Sequence, residues 1–309
     1  MLSRIAESLY WIGRLVERAE DTARLLDVHM SLLLEDVGID ETKMCTDVLT
    51  ALGGAQAAPG VRTAELLETL AYAADGPITG ALSGARDNAR TAREAISSEM
   101  WEALNTTRNS LPAYRTRARK HGPHDFFIFV KMRAALVSGL ADSTMSRDDG
   151  WFFLTLGRSL ERVDMTVRIL SVAGASRDPH LASVALLRAC GAFEAYLRTY
   201  RALMATQQAA EFLLLDRLFP RSIFHALTEA EQALVRLVPA GVGRTGVADA
   251  ALLALGRART RLEFASSGTI LADMGGHLRG VQQATHEASA AIAERFFDQQ
   301  AVIAWSFEA

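Results

Sequence analysis

Apolar residues recur along this chain at the three- and four-residue spacing that places them on one face of an α-helix. Regular alternation of apolar and polar residues, which is typical of strands, is nearly absent. The best strand-like run, Phe126–Val130, continues without a break into Lys131–Leu140, so we predict a buried helix there. Ala, Leu, Arg and Glu, which are good helix formers, dominate the composition. The sequence therefore predicts an all-α helical bundle.

Clusters of glycine and proline divide the helical pattern into segments. The main interruptions are Gly53–Val61, Lys120–Asp125, Ser176–Pro179 and Val238–Gly246. We predict helices at roughly 2–35, 40–53, 62–74, 78–110, 125–140, 148–173, 178–205, 209–217, 221–237, 245–273 and 276–300. No long low-complexity linker separates two parts of the chain.

One helical block occurs twice, at Ile12–Leu26 and at Leu156–Leu170, with an offset of 144 residues. The identical pairs are Gly13/Gly157, Arg14/Arg158, Glu17/Glu161, Arg18/Arg162, Thr22/Thr166, Arg24/Arg168, Leu26/Leu170 and Val28/Val172. A weaker similarity relates Glu68–Leu82 to Glu211–Leu227 at nearly the same offset. We therefore predict one domain over residues 1–309, built from tandem repeats of approximately 1–144 and 145–309 and packed about a pseudo-twofold axis.

The repeated block is polar along one side of its helix and apolar along the other. Its apolar positions differ between the copies, as expected where apolar side chains can exchange at little cost. Its arginines and Glu17 are kept, and Glu20 keeps its charge as Asp164, although helix pairs such as Glu20 with Arg24 contribute only about 0.2–0.5 kcal/mol each. Because an arginine fork matches a carboxylate or phosphate and lysine does not, a specific hydrogen-bonded network is indicated. This network could be internal or could face a ligand or partner, and a merely solvated polar face is the third interpretation.

The candidate residues for a structural network or a binding surface fall into two sets. The repeated block supplies Arg14, Glu17, Arg18, Arg24, Arg158, Glu161, Arg162 and Arg168. A second predicted helix carries Arg86, Arg90 and Arg93 along one stripe. That stripe could receive a phosphate or a peptide carboxylate, or it could contact Glu17 and Glu161 on a neighbouring helix.

Composition and charge argue against several classes of protein function. The formal charge of −3 argues against a general nucleic-acid binder, which usually carries a basic surplus. The two cysteines, Cys45 and Cys190, have no motif partners, so neither a disulfide framework nor a structural zinc site is indicated. No apolar run approaches the roughly 18 residues that span a bilayer, and the charged N-terminus does not resemble a signal peptide. We expect a soluble cytoplasmic protein.

No motif supports catalysis, and we expect no catalytic residue, cofactor or metal. The run Gly241–Gly246 has the letters G-x-G-x-x-G but lacks the preceding strand of a dinucleotide site. His121, His124 and Asp125 have a spacing that could hold a metal, yet the Gly-Pro loop alone explains this segment. The Glu-x-x-His pairs of di-iron bundles and a recognisable serine or cysteine triad are both absent from the sequence.

The runs SLYWIGRLVERAEDTARLLDV and ADSTMSRDDGWFFLTLGRSLERVDMTVRIL resemble the bacterial alpha-E family, which is named for a recurring Glu-Arg motif. Ser83–Asn105 and Phe212–Ile223 also resemble family segments, so the similarity runs from Met1 to about Ile223. The resemblance implies an all-helical protein encoded beside, or fused to, a circularly permuted ATP-grasp protein. Transglutaminase-like peptidases and a proteasome-like hydrolase accompany such proteins, in sets that are proposed to form peptide or amide bonds.

These observations give one leading functional hypothesis and two alternatives. The leading hypothesis is a non-catalytic accessory protein that binds an ATP-grasp ligase, with the peptidase and a peptide substrate as further partners. The first alternative is an enzyme in which Glu17 and Glu161 act as acid or base, tuned by the surrounding arginines. The second is a homo-oligomeric scaffold joined through exposed apolar helix faces.

Overall fold

The chain is helical throughout the part that the computed structural model describes, which is residues 1–35, 38–52, 60–172, 179–200, 205–238 and 249–297. Within these ranges there are fourteen α-helices and no strand, which confirms the all-α prediction. The helices are α1 Ser3–Glu35, α2 Glu41–Ala51, α3 Thr63–Leu67, α4 Thr79–Thr91, α5 Ser98–His121, α6 His124–Thr144, α7 Asp149–Val172, α8 Pro179–Ala189, α9 Phe193–Tyr200, α10 Thr206–Leu215, α11 Ile223–Leu237, α12 Ala250–Glu263, α13 Ser267–Ala272 and α14 Met274–Ile292. Shorter turns are π-helical at Glu68–Tyr72 and Ala293–Phe297 and 3-10 at Arg93–Ala95.

The two helices that carry the repeated block, α1 and α7, pack directly against each other at the centre of the fold. A Cβ atom on Gly13 would overlap the carbonyl oxygen of Leu154, and one on Gly157 would overlap the carbonyl oxygen of Tyr10. Because both obstacles are backbone, a side chain at either position would push the helices apart. The repeated glycines therefore set the close approach of α1 and α7.

The remaining long helices surround this central pair in a matching order. Helix α1 packs against α4 and α6, with α5 against both of the latter. Helix α7 packs against α11 and α14, with α12 against both of those. The short helices cross over, since α2 contacts α7 and α8 contacts α1.

Three long predicted helices are interrupted. The one predicted at 245–273 is divided into α12 and α13, where the Ser266 side chain accepts a hydrogen bond from the Thr269 amide. The helix predicted at 78–110 is divided into α4 and α5, because the Ser97 side chain accepts a hydrogen bond from the Met100 amide and starts a new helix. Helix α5 then continues through Pro112 to His121, well beyond the predicted end. The helix predicted at 178–205 is divided into α8 and α9. Gly191, which lies between them, adopts a φ of +61°, a left-handed conformation that commonly ends helices.

The apolar run that most resembled a strand lies in α6, as predicted. Phe126, Phe127 and Val130 are fully buried on the side of α6 that faces the core. Within the described ranges, no helix combines the length and the apolar character that crossing a membrane requires.

Candidate functional site

The polar sides of α1 and α7 meet in a network of arginines and carboxylates. Glu161 on α7 accepts hydrogen bonds from the Nε and Nη2 atoms of Arg18, the latter at 3.0 Å. It also accepts one from the Nε of Arg14 at 2.7 Å. With its side chain only 1% exposed, Glu161 is a buried anion held by two cations from the opposite helix.

The reverse contact joins Glu17 on α1 to Arg162 on α7. Arg162 donates from Nε to one carboxylate oxygen at 2.7 Å and from Nη2 to the other at 2.9 Å. The Glu17 side chain is 2% exposed. Each motif glutamate is thus gripped in two-pronged fashion by the motif arginine of the other copy, the strongest arrangement for this type of pair.

A further arginine that sequence reasoning did not nominate, Arg221, completes one side of the network. It lies just before α11 and pairs with Glu17 and Glu20, each at 2.8 Å, and with Asp21. Its guanidinium group therefore forms ion pairs with three carboxylates of α1. The equivalent position in the first copy, directly after Pro77, is Ile78. Comparing the two copies therefore does not point to Arg221.

The buried carboxylates differ in how readily they hold a proton. Burial alone would raise the pKa of Glu17, but Arg162 and Arg221 together lower it to about 2. Burial raises the pKa of Asp21 to about 7, against the attraction of Arg221 and with the help of the neighbouring Glu17 and Glu20 charges. Glu17 is therefore a fixed anion, whereas Asp21 can change its charge near neutral pH.

Arg24 and Arg168 form the helix pairs that their spacing predicts. Arg24 bonds to Glu20 at 2.7 Å, and Arg168 bonds to Asp164 at 2.7 Å. Arg168 also donates to the carbonyl oxygen of Ala51 at 3.0 Å, which ties α7 to the end of α2.

Arg158 departs from its repeat partner. Whereas Arg14 binds Glu161, Arg158 makes no hydrogen bond to Glu17, and its buried Nε has no partner among the described residues. Its guanidinium carbon lies 5.8 Å from the ring centre of Trp151. Burial and the nearby Arg162 charge lower its pKa. Arg221 pairs with Glu17 instead, whereas exact symmetry of the repeat would place Arg158 there.

The second candidate stripe does not join this network. Arg86 bonds to Asn105 and Asp87, and its guanidinium carbon lies 5.2 Å from the ring centre of Trp101. The single predicted helix ends at Thr91, so Arg93 lies in the following 3-10 turn.

The other two members of that stripe lie on the surface. Arg93 is exposed near Trp101 and reaches the Ser98 hydroxyl. Arg90 is exposed and has no partner among the described residues. No hydrogen bond or ion pair within the described ranges connects these arginines to Glu17 or Glu161.

Two adjoining clefts open beside the network. The first, about 790 Å³, lies between α1, α4 and α7, and Glu161 lines it. The second, about 580 Å³, lies between α1, α7 and α14, and we call it the arginine cleft. Its charged and ionisable lining residues are Arg14, Arg18, Asp164, Arg168, Arg279 and His286. Arg18, Asp164 and Arg168 form the boundary that the two clefts share.

The remaining sequence candidates have other surroundings. His124 contacts Asp27 at 2.7 Å, and Asp125 pairs with Arg117 at 2.7 Å. Within the described ranges, no group of three or more metal-ligating side chains could hold an ion. The glycine-rich run 241–246 lies outside the described residues.

One comparison with known proteins identifies the kind of domain. A family model described as a predicted alpha-helical domain with a conserved ER motif matches residues 1–297. An uncharacterized protein of Mycobacterium bovis is 25% identical over 254 residues, and one of Mycobacterium tuberculosis strain H37Rv is 24% identical over 254 residues. Each alignment covers 72% of this chain and 28% of the relative, so the chain spans less than a third of these relatives' length. No solved structure matches the chain.

Proposed function

The chain belongs to the Alpha-E family, and from this premise we propose that it is a non-catalytic helical protein that binds and assists an ATP-grasp ligase. The ligase partner, of the circularly permuted type, is what the family resemblance implies. A transglutaminase-like peptidase and a peptide substrate are proposed as further partners, in a cytoplasmic system that forms peptide or amide bonds.

One observation carries the non-catalytic part of the proposal. Glu17 and Glu161 are buried, and each forms ion pairs with two arginines. Carboxylates held in this way fix the positions of the arginines around them, since every guanidinium fork is anchored at a defined angle. The repeated motif therefore supports a rigid polar framework beside two open clefts, which suits binding better than proton transfer.

The same observation weighs against the enzyme alternative. A general base needs a pKa near the working pH and a free oxygen within reach of the substrate. Glu17 has a pKa of about 2, and both of its oxygens accept hydrogen bonds from Arg162. Replacing Glu17 by Gln in a reconstituted system would revive the enzyme hypothesis if product formation stopped while the fold and the complex survived.

We also propose that the domain arose by duplication, with repeats of about 1–144 and 145–309 related by a pseudo-twofold axis. The matching order of helices around α1 and α7 supports this. So do the reciprocal contacts, in which Glu17 meets Arg162 and Glu161 meets Arg18. Superposing α1, α4, α5 and α6 of an experimental structure on α7, α11, α12 and α14 tests the idea, because unrelated halves would not superpose in chain order.

Co-purification tests the proposed partnership. The chain and the ATP-grasp protein encoded beside it are co-expressed, with the tag on one partner and then on the other. Association in both orientations supports the proposal. A matched control replaces the ATP-grasp protein by an unrelated ligase of similar size. If neither tagged partner retains the other, the accessory role is rejected.

The homo-oligomeric scaffold is retained as a second candidate because of one surface feature. Ile128, Met132 and Leu136 lie four residues apart on α6 and are 41%, 66% and 42% exposed. Such an apolar stripe on a helix is typical of helix-to-helix association. Solution mass by light scattering tests it: an oligomer that dissociates in Met132→Glu supports the scaffold, and a monomeric wild type rejects it.

A further inference from the structure

The arginine cleft carries more positive charge than the protein itself neutralises. Its lining contains four arginines and a single carboxylate, Asp164. Glu161 binds two of these arginines from the adjoining cleft. Two positive charges in this part of the protein therefore have no carboxylate of their own. Where low-dielectric walls surround an excess of one sign, ions of the opposite sign are attracted.

Three of the arginines are held in place by bonds that leave part of each fork free. Arg14 and Arg18 are anchored by Glu161, and Arg14 also donates from Nη1 to the hydroxyls of Tyr10 and Ser289. Arg168 is anchored through Nε by Asp164 and through Nη1 by a backbone carbonyl.

The free parts of these forks are specific nitrogen atoms. They are Arg14 Nη2, Arg18 Nη1 and Arg168 Nη2, and none has an acceptor among the described residues. Each such nitrogen carries two donors, so three arginines that line the cleft have anchored forks with N–H groups that lack acceptors.

The fourth arginine and a histidine come from α14. Arg279 and His286 are exposed and form no hydrogen bond or ion pair with any other described residue. They lie seven residues apart, which places them on the same side of the helix. Two cationic or ionisable side chains on α14 thus complement the anchored arginines of α1 and α7.

We propose that the arginine cleft is a binding site for an oxyanion, a carboxylate or phosphate group carried by a ligand. The anchored forks of Arg14, Arg18 and Arg168 supply fixed donors, and Arg279 closes over the anion from α14. A volume of about 580 Å³ accommodates a small molecule or the anionic end of a larger one. This site deepens the proposed binding function by assigning the chemistry of what is bound.

Calorimetric titration of the full chain tests the site, with inorganic pyrophosphate and citrate as separate probes. Arg279→Gln is the main variant, since the residue has no internal partner and its loss leaves the network intact. Losing one charge-assisted contact should raise the dissociation constant roughly tenfold. The matched control is Arg257→Gln, an exposed arginine in another cleft, between α12 and α14, which should change the dissociation constant less than about twofold.

Each outcome of the titration decides something. Binding of pyrophosphate alone identifies a phosphate site, and binding of citrate alone identifies a carboxylate site. Binding that weakens in Arg279→Gln but not in Arg257→Gln supports the assignment. If neither probe binds, or both variants weaken binding equally, the site is rejected. Co-purification with the ATP-grasp protein is a separate measurement, so the partnership can survive the loss of this site, and the site can survive the loss of the partnership.

Discussion

Replacing Glu161 by Gln should destabilise the whole fold, because it removes the anion that holds two arginines. The Arg14 side chain is 11% exposed and that of Arg18 is 35% exposed, so neither charge can be fully hydrated after the substitution. The amide of Gln keeps the size of the side chain but presents its own donors to two guanidinium groups. The variant therefore isolates the loss of charge from the loss of packing.

The magnitude follows from the burial of the pair. Removing one partner of a buried ion pair typically costs about 3–5 kcal/mol, because the remaining charge is left uncompensated. The lower end applies here, since Arg18 retains access to water. For a chain of this size, a loss of about 3 kcal/mol in the free energy of unfolding lowers the melting temperature by roughly 5 °C.

Urea unfolding followed by circular dichroism at 222 nm measures this effect, with thermal unfolding as a second reading. The control is Arg90→Gln, which alters an exposed arginine without a partner among the described residues and should change stability by less than about 0.5 kcal/mol. If Glu161→Gln is as stable as the control, Glu161 belongs to a solvated polar face and the hypothesis of an internal hydrogen-bonded network is wrong.

Three other substitutions or conditions probe the same region. Gly13→Ala and Gly157→Ala should each cost roughly 1–3 kcal/mol in urea unfolding, because a Cβ at either position overlaps backbone. Arg221→Met should cost about 3 kcal/mol or more in the same assay, since it leaves buried carboxylates of α1 unpaired. The pH dependence of stability should have two parts. Glu17, whose pKa falls from 4.5 to about 2, contributes stability that is full above pH 4.5 and lost toward pH 2. Asp21, whose pKa rises from 3.8 to about 7, contributes stability that is full below pH 3.8 and lost as the pH rises toward 7, and Asp21→Asn should abolish that upper decline.

A specific result would contradict each of these predictions. Gly139→Ala is the glycine control, because nothing lies within 4 Å of a Cβ there and α6 should gain up to about 1 kcal/mol. Equal effects at Gly139 and Gly13 would remove the close-approach argument. A stable Arg221→Met would mean that water or a rearranged side chain compensates the carboxylates. A wild type whose stability is flat between pH 5 and 8 would show that Asp21 is ionised throughout that range.

Part of the α1–α7 network could be predicted from the sequence, because both partners of the Arg18–Glu161 contact are repeated as Arg162 and Glu17. Arg18 in the first copy is equivalent to Arg162 in the second, and Glu17 is equivalent to Glu161. An internal network between the repeats was one of the interpretations that the sequence left open, and the observed ion pairs lie between these helices. The closeness of the helices was not predicted, since the glycine identities alone do not show which backbone they meet.

What the sequence could not predict depends on single, unrepeated residues. Arg221 acts alone, and only the tertiary fold brings it beside α1. The break between α4 and α5 depends on the Ser97 cap, which lies within a strongly helical pattern. The predicted helix ended too early, at residue 110, whereas α5 continues through Pro112. The surrounding helix-forming residues and packing maintain α5 there despite the lost hydrogen bond. Local propensity is overruled at such points by contacts that are distant in sequence.

The glycines and the ion pairs between α1 and α7 act as one structural unit, which explains why Gly13, Glu17 and Arg18 are kept in the second copy while the apolar residues change. Gly13 lies four residues before Glu17, about one helical turn, as Gly157 lies before Glu161. Where the backbones touch at the glycines, the next turn brings each carboxylate within reach of an arginine on the opposite helix. A short or uncharged replacement of Glu17 or Glu161 leaves uncompensated arginine charges, whereas an apolar replacement elsewhere costs only a small packing adjustment. The retention of Glu17 and Arg18 as Glu161 and Arg162 is thus expected from the close packing of the two helices, and the donors that remain free on the arginines of the arginine cleft are what binding can use.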